Sequence, residues 1–232
     1  MRVLFFILIV FVLSLPAQAT LETAAEAAQN GDYEHALALY KQILAESKKE
    51  NPGNKRIAVI HFNIGICRYH LNQPDEAIAE FTKAIEASVG IYQKAFYALG
   101  MAQIKLENRQ AAKAAFLNAL KLKTDDGEAW FDLALIYLEE RNLAAAEKSF
   151  RNSIKYKSVA AADAHNNIGV IYVLGGEYAF AEREFKTAID ESNGNSKEAA
   201  NNLKFCLFYK GNETKELIAN LEISTRNQNS GV

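Results

Sequence analysis

Trp130-Phe131-Asp132-Leu133-Ala134-Leu135-Ile136-Tyr137, followed by Ala146 and then Phe150, is the stretch on which the fold turns. Trp130, Leu133, Ala134 and Tyr137 stand at i, i+3, i+4 and i+7, one face of a helix. Ala146 and Phe150, four apart, mark one face of a second helix. The string recurs in both directions. Its small residue is Gly65, Gly100, Ala134 and Gly169, at intervals of 35, 34 and 35 residues. Twelve residues after each comes Ala77, Ala112, Ala146 or Ala181; four further comes Phe81, Phe116, Phe150 or Phe185. Three further comes Ala84, Ala119, Ser153 or Ala188. Ala36 and Tyr40 repeat the second half of the pattern once more upstream. A single helix pair of this kind cannot bury its apolar face alone, so successive pairs must stack. The spacing predicts that the small residue of each first helix faces the alanine of the second. The aromatic is then expected to pack against the next pair.

The pattern resembles the tetratricopeptide repeat, a helix-turn-helix unit of about 34 residues with the signature W-x2-L-G-x2-Y…A-x3-F. Trp130, Leu133, Ala134, Tyr137, Ala146 and Phe150 make the fullest copy. The resemblance implies an all-α, right-handed α-solenoid of stacked helix-turn-helix repeats with a C-terminal capping helix pair. Repeats are expected at about 20–50, 58–91, 93–126, 127–161 and 162–196, a capping pair at 197–223 and a flexible polar tail at 224–232. Gly31-Asp32, Asn72 to Asp75 and Gly175-Gly176 read as turns within pairs, and Pro74 stands at a helix start, where proline is tolerated. Ser47 to Lys55 reads as an exposed loop between the first two repeats. Copies depart from the signature where His61 and His165 replace tryptophan, and where Arg68 and Gln103 replace tyrosine.

The N-terminus has a different character. Arg2 precedes an apolar run, Val3 to Leu15, broken only by Ser14; Pro16 and then Ala17-Gln18-Ala19 follow. This layout predicts a secretory signal over residues 1–19, cleaved after Ala19, and an exported protein of bacterial type, periplasmic or secreted. The run is shorter than the roughly 20 residues that a membrane-spanning helix needs. Loss of Arg2 with the signal moves the net charge from −2 to −3. That balance argues against a nucleic-acid partner, which calls for a basic excess.

No residue constellation points to catalysis. His61 and His70 are nine residues apart, on opposite faces of one helix. Neither His-x3-His nor Cys-x2-Cys nor a glycine-rich phosphate loop occurs. His61 and His165 are read as structural, and Asp125-Asp126 and Glu139-Glu140 as solvated charge. Lys148, Arg151 and Lys155 form a basic stripe, read as a solvated outer face or as a docking patch for an acidic partner or anionic lipid. No enzyme, metal or cofactor is expected. Cys67 and Cys206 share an apolar column but are four repeats apart, on the order of 40 Å at one helix diameter per repeat. A disulfide needs about 7 Å or less between Cα atoms, so both are expected to remain reduced thiols.

A second apolar series runs along the first helices: Phe62-Ile66-Tyr69, Tyr97-Met101-Ile104 and Phe131-Leu135-Leu138, then Asn166-Val170-Val173 and Asn201-Phe205-Phe208. In the family these columns line a concave groove. Asn63, Asn167 and Asn202 stand beside them, placed to hydrogen-bond a guest's backbone. Two readings stand. The stripe is buried where neighbouring first helices pack, or it is open to a hydrophobic or amphipathic segment of a protein or peptide partner. In the second reading Phe62, Tyr97 and Phe131 are the anchors. The expected function is a non-catalytic interaction scaffold, in cell-envelope assembly or maintenance, reaching membranes only through its partner. The alternative is a self-associating subunit, a homo-oligomer among its forms, with the groove filled by its own chain or by a second copy.

Overall fold

The computed structural model describes residues 20–50, 54–209, 221, 223 and 224. Eleven helices occur among them and no strand. They are α1 (Leu21–Gln29), α2 (Tyr33–Glu50), α3 (Asn54–His70), α4 (Pro74–Ala87), α5 (Gln93–Lys105) and α6 (Arg109–Leu122), then α7 (Gly127–Glu139), α8 (Leu143–Lys155), α9 (Ala161–Leu174), α10 (Tyr178–Glu191) and α11 (Lys197–Tyr209). Each helix packs on its neighbours in sequence, and α9 also touches α11, as α3 touches α5. Among the described residues these make five helix pairs followed by α11, stacked as a solenoid. The expected signal, residues 1–19, lies outside the described residues. So does 210–220, the span expected to hold the second helix of the capping pair; Leu221, Ile223 and Ser224 are non-helical. No described helix is long and apolar enough to cross a membrane.

The repeat columns form the core. Ala36, Ala77, Ala112, Ala146 and Ala181 are fully buried, as are Phe81, Phe116, Phe150 and Phe185. The nearest side chain to the small residue of the first helix is the phenylalanine of its own pair. A Cβ placed on Gly65, Gly100 or Gly169 would come within 2.5 Å of the ring of Phe81, Phe116 or Phe185. The missing side chain is what lets each ring lie flat between two helices of one pair.

The expected loop from Ser47 to Lys55 is mostly helix. Ser-Lys-Lys-Glu reads as polar surface, yet lysine and glutamate are good helix formers, and the breakers Asn51, Pro52 and Gly53 come only afterwards. Accordingly α2 runs on to Glu50, with Ser47 buried on its inner side, and α3 begins at Asn54. The turns within pairs share one device, a residue in the left-handed region two positions past the helix end: Gly31, Asn72, Glu107, Arg141 and Gly176.

Candidate functional site

The odd-numbered helices α3, α5, α7, α9 and α11 present the series read as a groove, and packing divides its residues. Phe131 is fully buried, Met101 and Val170 are 2 % exposed, and Tyr69, Tyr97 and Leu138 are also buried. The expected anchors turn inward. Phe62 lies 5.9 Å from the ring of Phe81, Tyr97 5.7 Å from Phe116, and Phe131 5.5 Å from Phe150. Tyr97 keeps a polar outlet, its hydroxyl donating to Asp132 of the next pair at 2.8 Å. Half-buried Phe62, Asn63, Ile66, Ile104, Leu135 and Phe205 retain accessible surface.

Two cavities lie along this face. Phe62, Asn63, Ile66, Tyr97 and Ala98 line one of about 510 Å³, with Lys94, Lys123, Asp126 and Glu128 around it. The other, about 650 Å³, has Leu135, Leu138, Val170 and Leu174 as its apolar lining and Arg109, Glu139 and Arg141 as its polar lining. Its remaining lining comes from Leu221 and Ile223, near the end of the chain.

Three asparagines support that end of the face. Asn166, Asn167 and Asn202 are fully buried, and a buried amide is tolerated only when hydrogen-bonded. Asn202 donates from Nδ2 to Asn166 Oδ1 at 2.9 Å. Asn166 Nδ2 donates to Asn167 Oδ1 at 3.3 Å and to Ser224 Oγ at 3.1 Å. Asn167 then takes both main-chain groups of one residue. Its Nδ2 donates to the Ser224 carbonyl at 2.8 Å, and its Oδ1 accepts the Ser224 N–H at 2.8 Å. A side-chain amide thus reproduces the donor–acceptor pair that an adjacent β-strand would offer. Ser224, the expected start of the flexible tail, is instead 5 % exposed. Burial and the nearby Glu198 raise the pKa of Asp163, and a hydrogen bond with Ser224 opposes the rise.

The histidines have partners of their own. His61 Nδ1 lies 2.6 Å from Glu80 Oε2, and His165 Nδ1 lies 2.6 Å from Glu184 Oε2. Burial alone would raise the Glu80 carboxyl, but hydrogen bonds from His61 and Lys83 hold it down at about 2. Glu184 is lowered likewise, against its burial, by His165 and Arg151. Sequence reasoning named the histidines and missed the glutamates. The signal was available: where the first helix carries His61 or His165 the second carries Glu80 or Glu184, and opposite Phe96 and Trp130 stand the small Ala115 and Ser149.

The charges read as solvated join helix ends and neighbouring pairs. Asp126 caps α7 by accepting from Ala129 N–H at 3.1 Å and also takes Gln93 Nε2 at 2.6 Å. Glu139 pairs with Arg109, and Glu140 with Lys113 at 2.6 Å. Of the basic stripe, Arg151 is held by Glu147 and by the Tyr172 hydroxyl at 2.8 Å. Cys67 and Cys206 are both fully buried, in separate clusters, and neither is in a disulfide. Burial pushes the Cys67 thiol up to about 11; Cys206 Sγ donates to the Tyr178 carbonyl at 3.4 Å. Among the described residues no three His, Cys, Asp or Glu side chains converge as a metal site.

Stacked helix pairs with a hydrogen-bonding inner face define a helical-repeat scaffold for binding proteins. The tetratricopeptide repeat family matches residues 17–88 and, in two overlapping copies, 97–155 and 132–196; the chain belongs to that family. No curated protein matches the sequence. Among solved structures, MamA is 25% identical at a TM-score of 0.64, covering 75% of this chain and 96% of its own. YrrB, described as a TPR protein with an unusual peptide-binding site, is 26% identical at a TM-score of 0.59, covering 73% and 82%. PilF of Pseudomonas aeruginosa, at 16% identity, a TM-score of 0.66 and 85% coverage of both chains, shares the fold.

Proposed function

We propose that this chain is a non-catalytic scaffold that holds an extended segment of a protein partner along the face of its first helices. The observation that supports this most directly is Asn167 gripping both main-chain groups of Ser224. A site that reads backbone accepts an extended chain of varied sequence, and the apolar cavities beside it supply side-chain selection. The peptide-binding YrrB is a relative of matching kind. The signal-like residues 1–19 support a site of action in the cell envelope, with Thr20 as the mature N-terminus. Thr20 suits that position: it caps α1, accepting from Thr23 N–H at 3.1 Å. The alternative, a groove filled by the protein's own chain, draws on the same observation, since Leu221, Ile223 and Ser224 are its own residues.

Affinity capture from envelope extracts tests the reading, using Ile66→Glu and Leu135→Glu beside the unaltered protein. Both residues are half-buried on the groove, so both variants are expected to retain their helical circular dichroism and lose the partner. If both fold and keep every partner, the groove does not bind it. N-terminal sequencing of the mature protein from a periplasmic fraction checks the export arm; a sequence that starts at Met1 contradicts it.

A further inference from the structure

We propose that Leu221, Ile223 and Ser224 form a built-in competitor that occupies the C-terminal end of the groove in cis and must leave before a partner segment takes the asparagines. The inference rests on the groove reading above and adds its regulation and the pattern it selects.

Leu221 packs against the buried cluster that includes Val170, Val173 and Cys206, and Ile223, 47% exposed, lines the 650 Å³ cavity with Leu135, Leu138 and Leu174. Ser224 takes the main-chain grip of Asn167, and its hydroxyl lies against Asn166. These residues therefore hold the contacts that an incoming chain would need. Their contacts also define the preferred guest: apolar residues at two alternate positions, followed directly by a small residue. At 5 % exposure Ser224 is enclosed, so a larger side chain there has to displace its neighbours.

Covalent connection makes the occupancy effective. Eleven residues join Tyr209 to Leu221, and a tether of that length gives an effective concentration on the order of mM. A contact too weak to persist between separate molecules then fills the site in cis wherever its dissociation constant lies below that concentration. The cavity at Phe62, Asn63 and Ile66 has none of Leu221, Ile223 and Ser224 in its lining. A partner can engage there first and displace the segment afterwards.

The probe is a fluorescent peptide of the protein's own residues 219–226, added to four full-length proteins: unaltered, Ser224→Pro, Ser224→Leu, and Ser224→Pro with Asn167→Ala. Proline removes the N–H that Asn167 accepts, and leucine puts a large side chain at an enclosed position; Ser224 lies beyond α11, so the helices are expected to stay intact by circular dichroism. The expected result, by anisotropy, is that either single variant binds at least tenfold more tightly than the unaltered protein and that the double variant loses the gain. Equal, measurable binding by the unaltered and single-variant proteins overturns the competitor and leaves the groove reading standing. No binding by any of the proteins overturns both. A dimer of the unaltered protein that the Ser224 variants dissolve shows that the segment docks on a second copy, and overturns occupancy in cis.

Discussion

Glu80 shows how one side chain ties the stack to pH. Its ordinary value is 4.5, and the folded protein holds it at about 2 because His61 and Lys83 bond the ionised form. A carboxyl lowered on folding stabilises fully above its unfolded value, and the benefit disappears as pH falls through the folded value. Stability should therefore decline between about pH 4.5 and 2, with Glu80 responsible for roughly 2 kcal/mol after allowance for the screening of exposed Lys83. In urea titrations at stepped pH, Glu80→Gln is expected to be less stable at pH 7 and to show a flatter decline over that window. An unchanged acid limb would show that the pair carries no such coupling. The glutamate was legible in the sequence only by comparing copies: a lone carboxylate on a helix reads as surface, and it is the coincidence of His61 with Glu80 and His165 with Glu184 that marks a contact.

Helices pair here through complementary bulk at two levels. The first is glycine against phenylalanine. Gly100→Val would drive a branched side chain into the ring of Phe116, which lies 2.5 Å from where even a lone Cβ would stand; a loss of about 2–3 kcal/mol is expected in denaturant unfolding. A loss below about 0.5 kcal/mol would mean that the ring moves aside freely. The second is the column that alternates His–Glu, Phe–Ala and Trp–Ser. Here His165→Trp alone should collide with Glu184 and strand its carboxylate, while His165→Trp with Glu184→Ser recreates the pairing of Trp130 with Ser149. A double-mutant cycle should then return at least about 1 kcal/mol of coupling; additive losses would contradict the pairing. These columns were readable because close packing admits few residue types at each place. The extent of α2 was not, because the polar run through Ser47 has the composition of a loop and the propensity of a helix, and only the location of the breakers decides.

Across the whole molecule, the repeat dictates the stack, whereas the occupancy of its inner face depends on where the chain returns after α11. Periodicity carries no information about that return. Leu221-Glu222-Ile223-Ser224 is too short for a pattern, and Ser224 alone looks like the start of a polar tail. The buried asparagines gave half of the answer: Asn167 and Asn202 stand in a column suited to binding backbone, but which chain Asn167 binds is a tertiary fact. The aromatic anchors divide for the opposite reason. Phe62, Tyr97 and Phe131 share a level and each sits over the phenylalanine of its own pair; Phe131 is fully buried there, whereas Phe62 and Tyr97 also line the 510 Å³ cavity, so the accessible surface of the face is that of Phe62, Ile66 and Leu135, with a buried amide ladder at its C-terminal end. The measurement that bears most directly on that ladder is hydrogen exchange at the Ser224 amide, followed by NMR in the unaltered protein and in Asn167→Ala. The N–H is buried and bonded to Asn167 Oδ1, so exchange is expected to be slowed by at least about tenfold relative to an unprotected chain and to speed up in the variant. A Ser224 amide that exchanges at the rate of an unstructured peptide in both proteins would contradict a groove that grips main chain.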